Sequence, residues 1–484
     1  MKHSVIVALC LAVSACVHSP PSIDGAAPVP ASPSSLWTPP ASVSRAAARD
    51  TTKLVLSTAT VRMLTLPEVV DLALRNSPAT RLSWAQARAA ADAFGSSEGR
   101  RYPTLSAGVT ANHTLSLPTP GRPPIERTQY GPSLTLAYTV LDFGGRSGSI
   151  DVTRQTAIAF DLSHNATVEN TILQVEAAAF GYLSTRAQRD AQKSAMDLAT
   201  AALDAANERH RVGLATIADV LQAQTARSQA ELELETLEGA LQVARGSLAV
   251  AMGVPANSPY DIPEVPAADS VHFVAESVDS LIEMAVRNRP ELAASRAQAA
   301  AASSQIRVAR SGYLPALALG ATGANNGSNN SGFAGRTYSV NLGVQMPVFT
   351  GFSNQYDVAS AAEQYQAALA RAETTKQQII QQVFTAYYTL KTSTNRVRTA
   401  ADLLASAIQS ESVARGRYRE GVGSIVDLLV AQNALANARA QSVDARWQWR
   451  TALAQLAHDV GVLNVRGDTS FELLTPLPDI RPGR

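Results

Sequence analysis

Catalysis and metal binding need nucleophiles, acids, bases or ligands at workable spacings, and these are scarce in this chain. Its two cysteines, Cys10 and Cys16, both fall in the first 16 residues, so no disulfide, thiolate metal site or cysteine nucleophile can lie further along. The seven histidines (His3, His18, His113, His164, His210, His272, His458) are scattered, and none stands at the i, i+4 spacing of a helical metal pair. No G-x-S-x-G, P-loop or G-x-G-x-x-G occurs. These absences disfavour an enzyme and predict no cofactor. The acids that do recur in a pattern are Asp219 and Asp427. Each follows a glycine and a hydroxyl residue in the same way: Gly213, Thr216, Asp219 and Gly421, Ser424, Asp427. A helix-breaking glycine followed by Ser/Thr-x-x-Asp is the pattern of a tight turn and a capped helix start. Such chemistry is structural, and its meaning depends on the elements that carry the turns.

The composition limits those elements. The 41 basic and 40 acidic residues leave a net charge of +1, which gives no basic footprint for nucleic acid. With 46% hydrophobic but only 5% aromatic residues, the chain suits long helices packed through small side chains better than a compact α/β enzyme. Residues 1–15 combine a short basic start with a short apolar run, too short to span a bilayer, and read as a secretory signal. The run ends Val13-Ser14-Ala15-Cys16, which resembles the bacterial lipoprotein cleavage box. That resemblance implies that Cys16 becomes the first mature residue and carries acyl chains, enough for stable anchoring. Val17 stands where the resemblance would place an Asp for inner-membrane retention, which implies the outer membrane. Residues 16–63 would then form a lipid-anchored segment, rich in Pro, Ser and Ala to about Ala48. No run of 18 apolar residues follows, so a membrane-spanning part would have to be a closed barrel.

The rest of the chain is written twice. Ala73–Pro78 (ALRNSP) matches Ala285–Pro290 (AVRNRP), Val140–Gly145 pairs with Pro347–Phe352, and Gly213–Gln224 (GLATIADVLQAQ) pairs with Gly421–Gln432 (GVGSIVDLLVAQ). A period near 210 residues predicts two large blocks, 64–262 and 263–465, with a C-terminal tail at 466–484. Each block opens on a helix; the first is expected to run from Thr65 to about Arg100. Period-2 alternation follows: Leu105, Ala107, Val109, Ala111, then Leu134, Leu136, Tyr138, Val140 in the first half; Leu317, Leu319, Ala321, then Tyr338 to Val348 in the second. This is the pattern of strands with one apolar and one wet face.

Two long segments without proline come next, Arg146–Arg211 and Ser353–Arg419. In the second, apolar or small residues recur in alternating steps of three and four. They run through Val358, Ala362, Tyr365, Leu369, Ala372, Ile379, Val383, Tyr387, Leu390, Val397, Ala401, Leu404 and Ile408, with gaps at Lys376 and Thr394. Each segment as a helix makes a rod of roughly 100 Å. Arg209, His210, Arg211 and Arg415, Arg417, Arg419 place cations at the rod ends, where the helix dipole favours them. Gly213 and Gly421 break the rods, and a second helix runs back from each turn. Each half therefore reads helix, strand, strand, long helix, turn, helix.

This duplicated order, with the lipoprotein-type cleavage box, Leu141-Asp142-Phe143-Gly144-Gly145 and the two glycine turns, resembles the TolC-type outer-membrane efflux family in its acylated branch. The resemblance covers about Leu64 to Val465. It implies a mostly α protein with a β-barrel portion. Three chains would form a 12-stranded outer-membrane barrel on a long periplasmic α-helical coiled-coil tunnel. The implied function is an exit duct that passively conducts drugs or other small molecules. Its partners would be a periplasmic adaptor protein at the tips, through it an inner-membrane pump, and outer-membrane lipid. The tip turns would be Val212, Gly213, Leu214 and Gly421, Val422, with Glu420 departing from the family's Val. The family's tunnel constriction uses acids hydrogen-bonded to a Tyr and an Arg. Tyr418 and Asp427 stand at such positions, whereas a second acid is Val430 and the Arg position is Gly423. Asp219 and Asp427 read equally as helix caps or as aperture residues. Two alternatives stay open on sequence: a trimeric coiled-coil envelope lipoprotein without a pore, and an exit duct for peptides or proteins.

Overall fold

The computed structural model describes residues 62–116, 125–263, 273–274, 277–329, 334–463 and 474–475. The signal segment, Cys16 and most of the N-terminal segment and C-terminal tail lie outside the described residues. The chain divides into a small unit, Met1–Arg62 with Asn257–Tyr260, and a large one, Met63–Ala256 with Asp261–Arg484. The large unit holds both long rods and all four long strands.

The first half of the repeat begins with α1 (Leu66–Asn76), opened by a capping box in which the Thr65 N–H donates to Glu68 Oε2 at 2.8 Å. The single helix expected to Arg100 is instead two. Pro78 lacks an N–H and disfavours helical backbone at Ser77, so α1 stops and α2 (Pro78–Glu98) starts with Pro78 in its first turn. Two strands follow, β1 (Thr104–Ser116) and β2 (Ile125–Leu141), then the rod α3 (Gly145–Arg211) and its return α4 (Ile217–Ala251). The second half repeats the order: α5 (Val278–Asn288), α6 (Pro290–Ser311), β3 (Ala316–Ser328), β4 (Gly335–Gln345), α7 (Ser353–Arg419) and α8 (Ile425–Val460). The alternation anticipated through Val348 ends at Gln345, two residues before Pro347. Each rod has 67 residues, roughly 100 Å. Both strand-to-rod turns carry a phenylalanine with left-handed backbone, Phe143 (φ 47°) and Phe352 (φ 66°).

The four strands form one antiparallel sheet in the order β1-β2-β3-β4, joining the halves through β2 and β3. The register sorts side chains into rows. Leu105, Leu136, Ala321 and Val340 lie side by side across all four strands. The next row is Ser106, Thr135, Thr322 and Ser339. Successive residues of a strand point to opposite faces, so one face of the sheet is apolar and the other hydroxylated. All residues of β1 and β4 are exposed, so no helix covers either face there.

In α7 the seam holds at Ile379, Val383, Leu390 and Val397, all buried. Thr394, a gap in the expected stripe, is buried too, its hydroxyl donating to the Leu390 carbonyl at 2.8 Å. Nearer the tip the buried positions are Ala400, Ala407, Glu411 and Tyr418, while Ala401 and Ile408 are exposed. A helix of 3.6 residues per turn drifts against a seven-residue repeat, and small residues let the contact follow that drift.

The joints between the short helix pairs differ in chemistry. In the first half Ser77 links α1 to α2 and its Oγ accepts from the Thr80 N–H at 3.4 Å. In the second, Arg289 links α5 to α6 and is only 4% exposed. Its guanidinium donates to the Glu291 carboxylate at 2.9 and 3.0 Å, to Asp459 Oδ1 at 3.3 Å and to Gln382 Oε1 at 3.2 Å. Gln455 and His458 also bond the Asp459 carboxylate, at 3.0 and 2.9 Å. Nearby on α3, burial raises the Glu169 carboxyl above its ordinary range and Glu291 adds to that, against His458 and Arg289. Further along α3, Glu176 is 1% exposed, its Oε2 has no partner among the described residues, and burial pushes its pKa up to about 7.

Candidate functional site: the paired hairpin tips

The rods end through the same backbone device. At the first tip the Val212, Gly213 and Leu214 N–H groups donate to the carbonyls of Glu208, His210 and Arg209, at 3.2, 3.0 and 2.7 Å. At the second, Gly421 and Val422 donate to Tyr418 and Arg417 at 3.1 and 3.0 Å. Gly213 (φ 76°) and Gly421 (φ 81°) supply the left-handed residue that ends a helix this way. The turns leave Val212, Leu214 and Val422 exposed, an apolar character that water does not favour.

The return helices start on capping boxes. Asp219 Oδ2 accepts from the Thr216 N–H at 2.8 Å and from its hydroxyl at 3.0 Å, while the Asp219 N–H donates to Thr216 Oγ1 at 3.3 Å. The second box is looser: Ser424 N–H to Asp427 Oδ2 is 3.4 Å, and Asp427 N–H to Ser424 Oγ is 3.1 Å. Both carboxylates therefore sit on backbone N–H groups at a helix N-terminus, where the dipole also favours them.

Tyr418 is buried in a cluster that joins both hairpins, among Ala202, Ala206, Val220, Ala223, Ile425 and Leu428. The Arg209 guanidinium lies over its ring, 4.7 Å from the centroid, and donates to the Tyr418 carbonyl. Burial raises the phenol's pKa, Arg209 pulls it back and Asp219 adds to the rise; the hydroxyl has no partner among the described residues. The structure thus brings Tyr418 together with Arg209 and into the field of Asp219. Asp427 stands elsewhere, beside Arg417, Gly423 and Val430 in a recess of about 380 Å³. Within one chain there is no Tyr418–Asp427 hydrogen bond among the described residues. Arg209 is the residue that sequence reasoning missed. Its place at a rod end read as a complement to its own helix dipole, but its hydrogen bond caps the end of the other rod. No local signal marks a partner 209 positions away.

No group of three or more His, Cys, Asp or Glu among the described residues could hold a metal ion. No described helix is long and apolar enough to cross a membrane. The arrangement offers exposed apolar turns and, at each tip, a carboxylate in a capping box at the start of the return helix.

Comparison with known proteins agrees with this geometry. The chain is 28% identical to Protein CyaE of Bordetella pertussis over 418 residues, covering 84% of this chain and 87% of that protein. It is 25% identical to the outer membrane protein TolC of Escherichia coli, covering 82% of each. In fold it is similar to the outer membrane protein VceC of Vibrio cholerae, with a TM-score of 0.73 at 19% identity, covering 82% of this chain and 96% of that one. Residues 69–254 and 281–462, one stretch in each half, match the family described as outer membrane efflux protein, and the chain belongs to that family.

Proposed function

We propose that three copies of this chain assemble into an outer-membrane exit duct that passively conducts drugs or other small molecules, without catalysis of its own. One observation carries the reading: the register that lays Leu105, Leu136, Ala321 and Val340 in one row and Ser106, Thr135, Thr322 and Ser339 in the next. A sheet with an apolar and a hydroxylated face, uncovered by helices at its outer strands, suits lipid on one side and a water-filled lumen on the other. Four strands cannot close by themselves, and lipid does not tolerate an open edge; three copies supply twelve strands. The rods, roughly 100 Å each, then reach into the periplasm.

The tip turns Val212, Gly213, Leu214, Gly421 and Val422 would meet a periplasmic adaptor held by an inner-membrane pump; their exposed apolar side chains support this. Asp219, Asp427 and Tyr418 would border the periplasmic aperture. Two repeats, 64–262 and 263–465, would each supply two strands, a rod and its return helix to the duct, and acylation of Cys16 would add a lipid anchor in the outer membrane.

The protein in mild detergent should be trimeric and should raise ion conductance in planar bilayers. A monodisperse monomer that keeps all its strand content would overturn the reading. Cys16→Ser should abolish metabolic lipid labelling while the barrel still forms; equal labelling would refute the anchor. Gly213→Trp should lower export while leaving outer-membrane trimer, since it blocks both the left-handed turn and close approach.

A further inference from the structure

The repeat gives each rod the same brace where it leaves the sheet. In the first half Arg146, the second residue of α3, donates through its guanidinium to the Arg100 carbonyl at 3.4 Å. In the second half Asn354, the second residue of α7, donates through its amide to the Gly312 carbonyl at 2.9 Å. The rods begin 208 positions apart, and the prolines that open the sheet, Pro103 and Pro315, stand 212 apart. Arg146 therefore corresponds to Asn354, and Arg100 to Gly312. A neutral side chain completes the brace with the shorter bond, so the brace itself needs neither guanidinium.

The first half nevertheless places two cations there. Arg146 also donates to the Thr139 carbonyl at 2.8 Å, and its guanidinium lies over the Tyr138 ring, 5.6 Å from the centroid. The exposed Arg100 donates to Ser149 Oγ at 3.2 Å, on the face of α3 that carries Arg146 one turn earlier. The carboxylates alongside are engaged elsewhere. Glu98 pairs with Arg101 at 3.1 Å, Asp142 accepts from the Arg146 backbone N–H, and Asp151 pairs with Arg307 at 2.6 Å. Among the described residues neither Arg100 nor Arg146 has an ion-pair partner.

Tyr138 fixes where this pair stands. It lies opposite Leu319, which lies opposite Leu342, so it belongs to the apolar face of the sheet, at the end next to the rods. Leu105 and Leu136 belong to the next row on that face. With lipid against this face, an aromatic ring carrying a cation marks the level of the headgroups in the periplasmic leaflet.

We propose that Arg100 and Arg146 bind the phosphate of an anionic phospholipid in the periplasmic leaflet of the outer membrane, one lipid per chain, with its acyl chains along Leu105 and Leu136. Guanidinium groups match phosphate oxygens in geometry and charge, and the second half, with Gly312 and Asn354, has no such site. The proposal rests on the duct reading for the orientation of the apolar face, and adds the headgroup chemistry that this face selects at its inner rim.

Native mass spectrometry of the full-length protein in mild detergent tests it, with dioleoylphosphatidylglycerol or dioleoylphosphatidylcholine added. The anionic lipid should stay bound in preference to the neutral one. This preference should fall about fivefold for each arginine removed, by Arg146→Asn and by Arg100→Gln. Arg146→Asn copies the second half and so keeps the brace, and the same spectra report the trimer. Arg336→Gln, on the apolar face at the opposite end of the sheet, should leave the preference unchanged. Equal retention of the two lipids, an undiminished preference in the double variant, or an equal loss in Arg336→Gln overturns the inference while the trimer stands. Displacement of the lipid by equimolar inorganic phosphate assigns the arginines to a soluble anion and overturns it as well. A monomer in every spectrum overturns the duct reading beneath it.

Discussion

At the joint of the first half a serine, Ser77, caps α2 with a single weak hydrogen bond, and the end of α4 has Ala251 where the second half has Asp459. At the same joint of the second half Arg289 sits 4% exposed between Glu291 and Asp459. Along the rods the contrast reverses. The first rod buries Glu176, and the position 208 residues on is Phe384, which is exposed. One backbone plan thus accommodates a capping serine or a buried arginine at one place, and a buried glutamate or an exposed phenylalanine at another. Arg289 carries its charge among partners that surround it, whereas Glu176, with Oε2 unpartnered among the described residues, has its charged form disfavoured by burial.

This comparison can be broken most forcefully at the second joint. Arg289→Ala or Asp459→Ala alone leaves a buried charge uncompensated and should lower stability by about 3–5 kcal/mol. Ser77→Ala should cost about 1 kcal/mol. Arg289→Ser with Asp459→Ala installs the first half's residues and should recover a large part of the loss, read as coupling in a double-mutant cycle of denaturation midpoints. Strict additivity would refute the idea that the two joints are interchangeable.

Glu176 sharpens the comparison through pH. Its folded pKa is raised, so between the ordinary carboxyl range and about pH 7 the folded state holds a proton that the unfolded state has lost. Stability should therefore fall as pH rises through that window and level off above it, by on the order of 3 kcal/mol at most. Glu176→Gln should flatten this part of the profile and stabilise the protein at pH 8. A variant whose pH profile matches the wild type would remove Glu176 from the account.

A smaller effect is expected where the halves agree. Gly253 (φ 69°) and Gly461 (φ 77°) each end a return helix against the asparagine that closes the short first helix. A Cβ at Gly253 would lie 2.8 Å from the Asn76 Cβ; at Gly461 it would lie 3.1 Å from the Asn288 Cβ. Alanine at either position should cost about 1–3 kcal/mol, more at Gly253, by comparison of denaturation midpoints. The smallest effect belongs to the capping boxes. Asp219→Ala should destabilise the start of α4 by about 1 kcal/mol, and Asp427→Ala should cost less because its contacts are longer. Hydrogen exchange at each tip measures this. Higher single-channel conductance of Asp427→Ala with unchanged exchange would favour the aperture role over the cap.

Much of this architecture was legible because it rests on local periodicity. The alternation around Leu134 and Val340 marks strands, the proline-free runs mark rods, and Gly213 and Gly421 mark the turns between them. Thr216 and Asp219 could be read as a cap because both partners lie within one helical turn. What escaped depends on neighbours distant in sequence. Glu176 looks like any solvated helix glutamate until α3 is packed. Arg289 looks like a linker residue until α6, α7 and α8 surround it. Arg209 acquires its partner only when the two hairpins stand side by side. Pro78 was the exception: its break in the first helix was readable locally and was overridden by the helical pattern on either side.

The outer strands of the sheet have a consequence for how the protein comes to exist. Among the described residues β1 and β4 each pair on one side only, leaving edges 13 and 11 residues long. A single chain in water would offer backbone donors and acceptors next to a row of leucine and valine, a template on which further strands add without limit. Correct assembly and aggregation thus compete for the same hydrogen bonds, and the outcome turns on which neighbour arrives first. Synthesis and delivery of this chain must therefore be paced so that its edges meet their partners before they meet strangers.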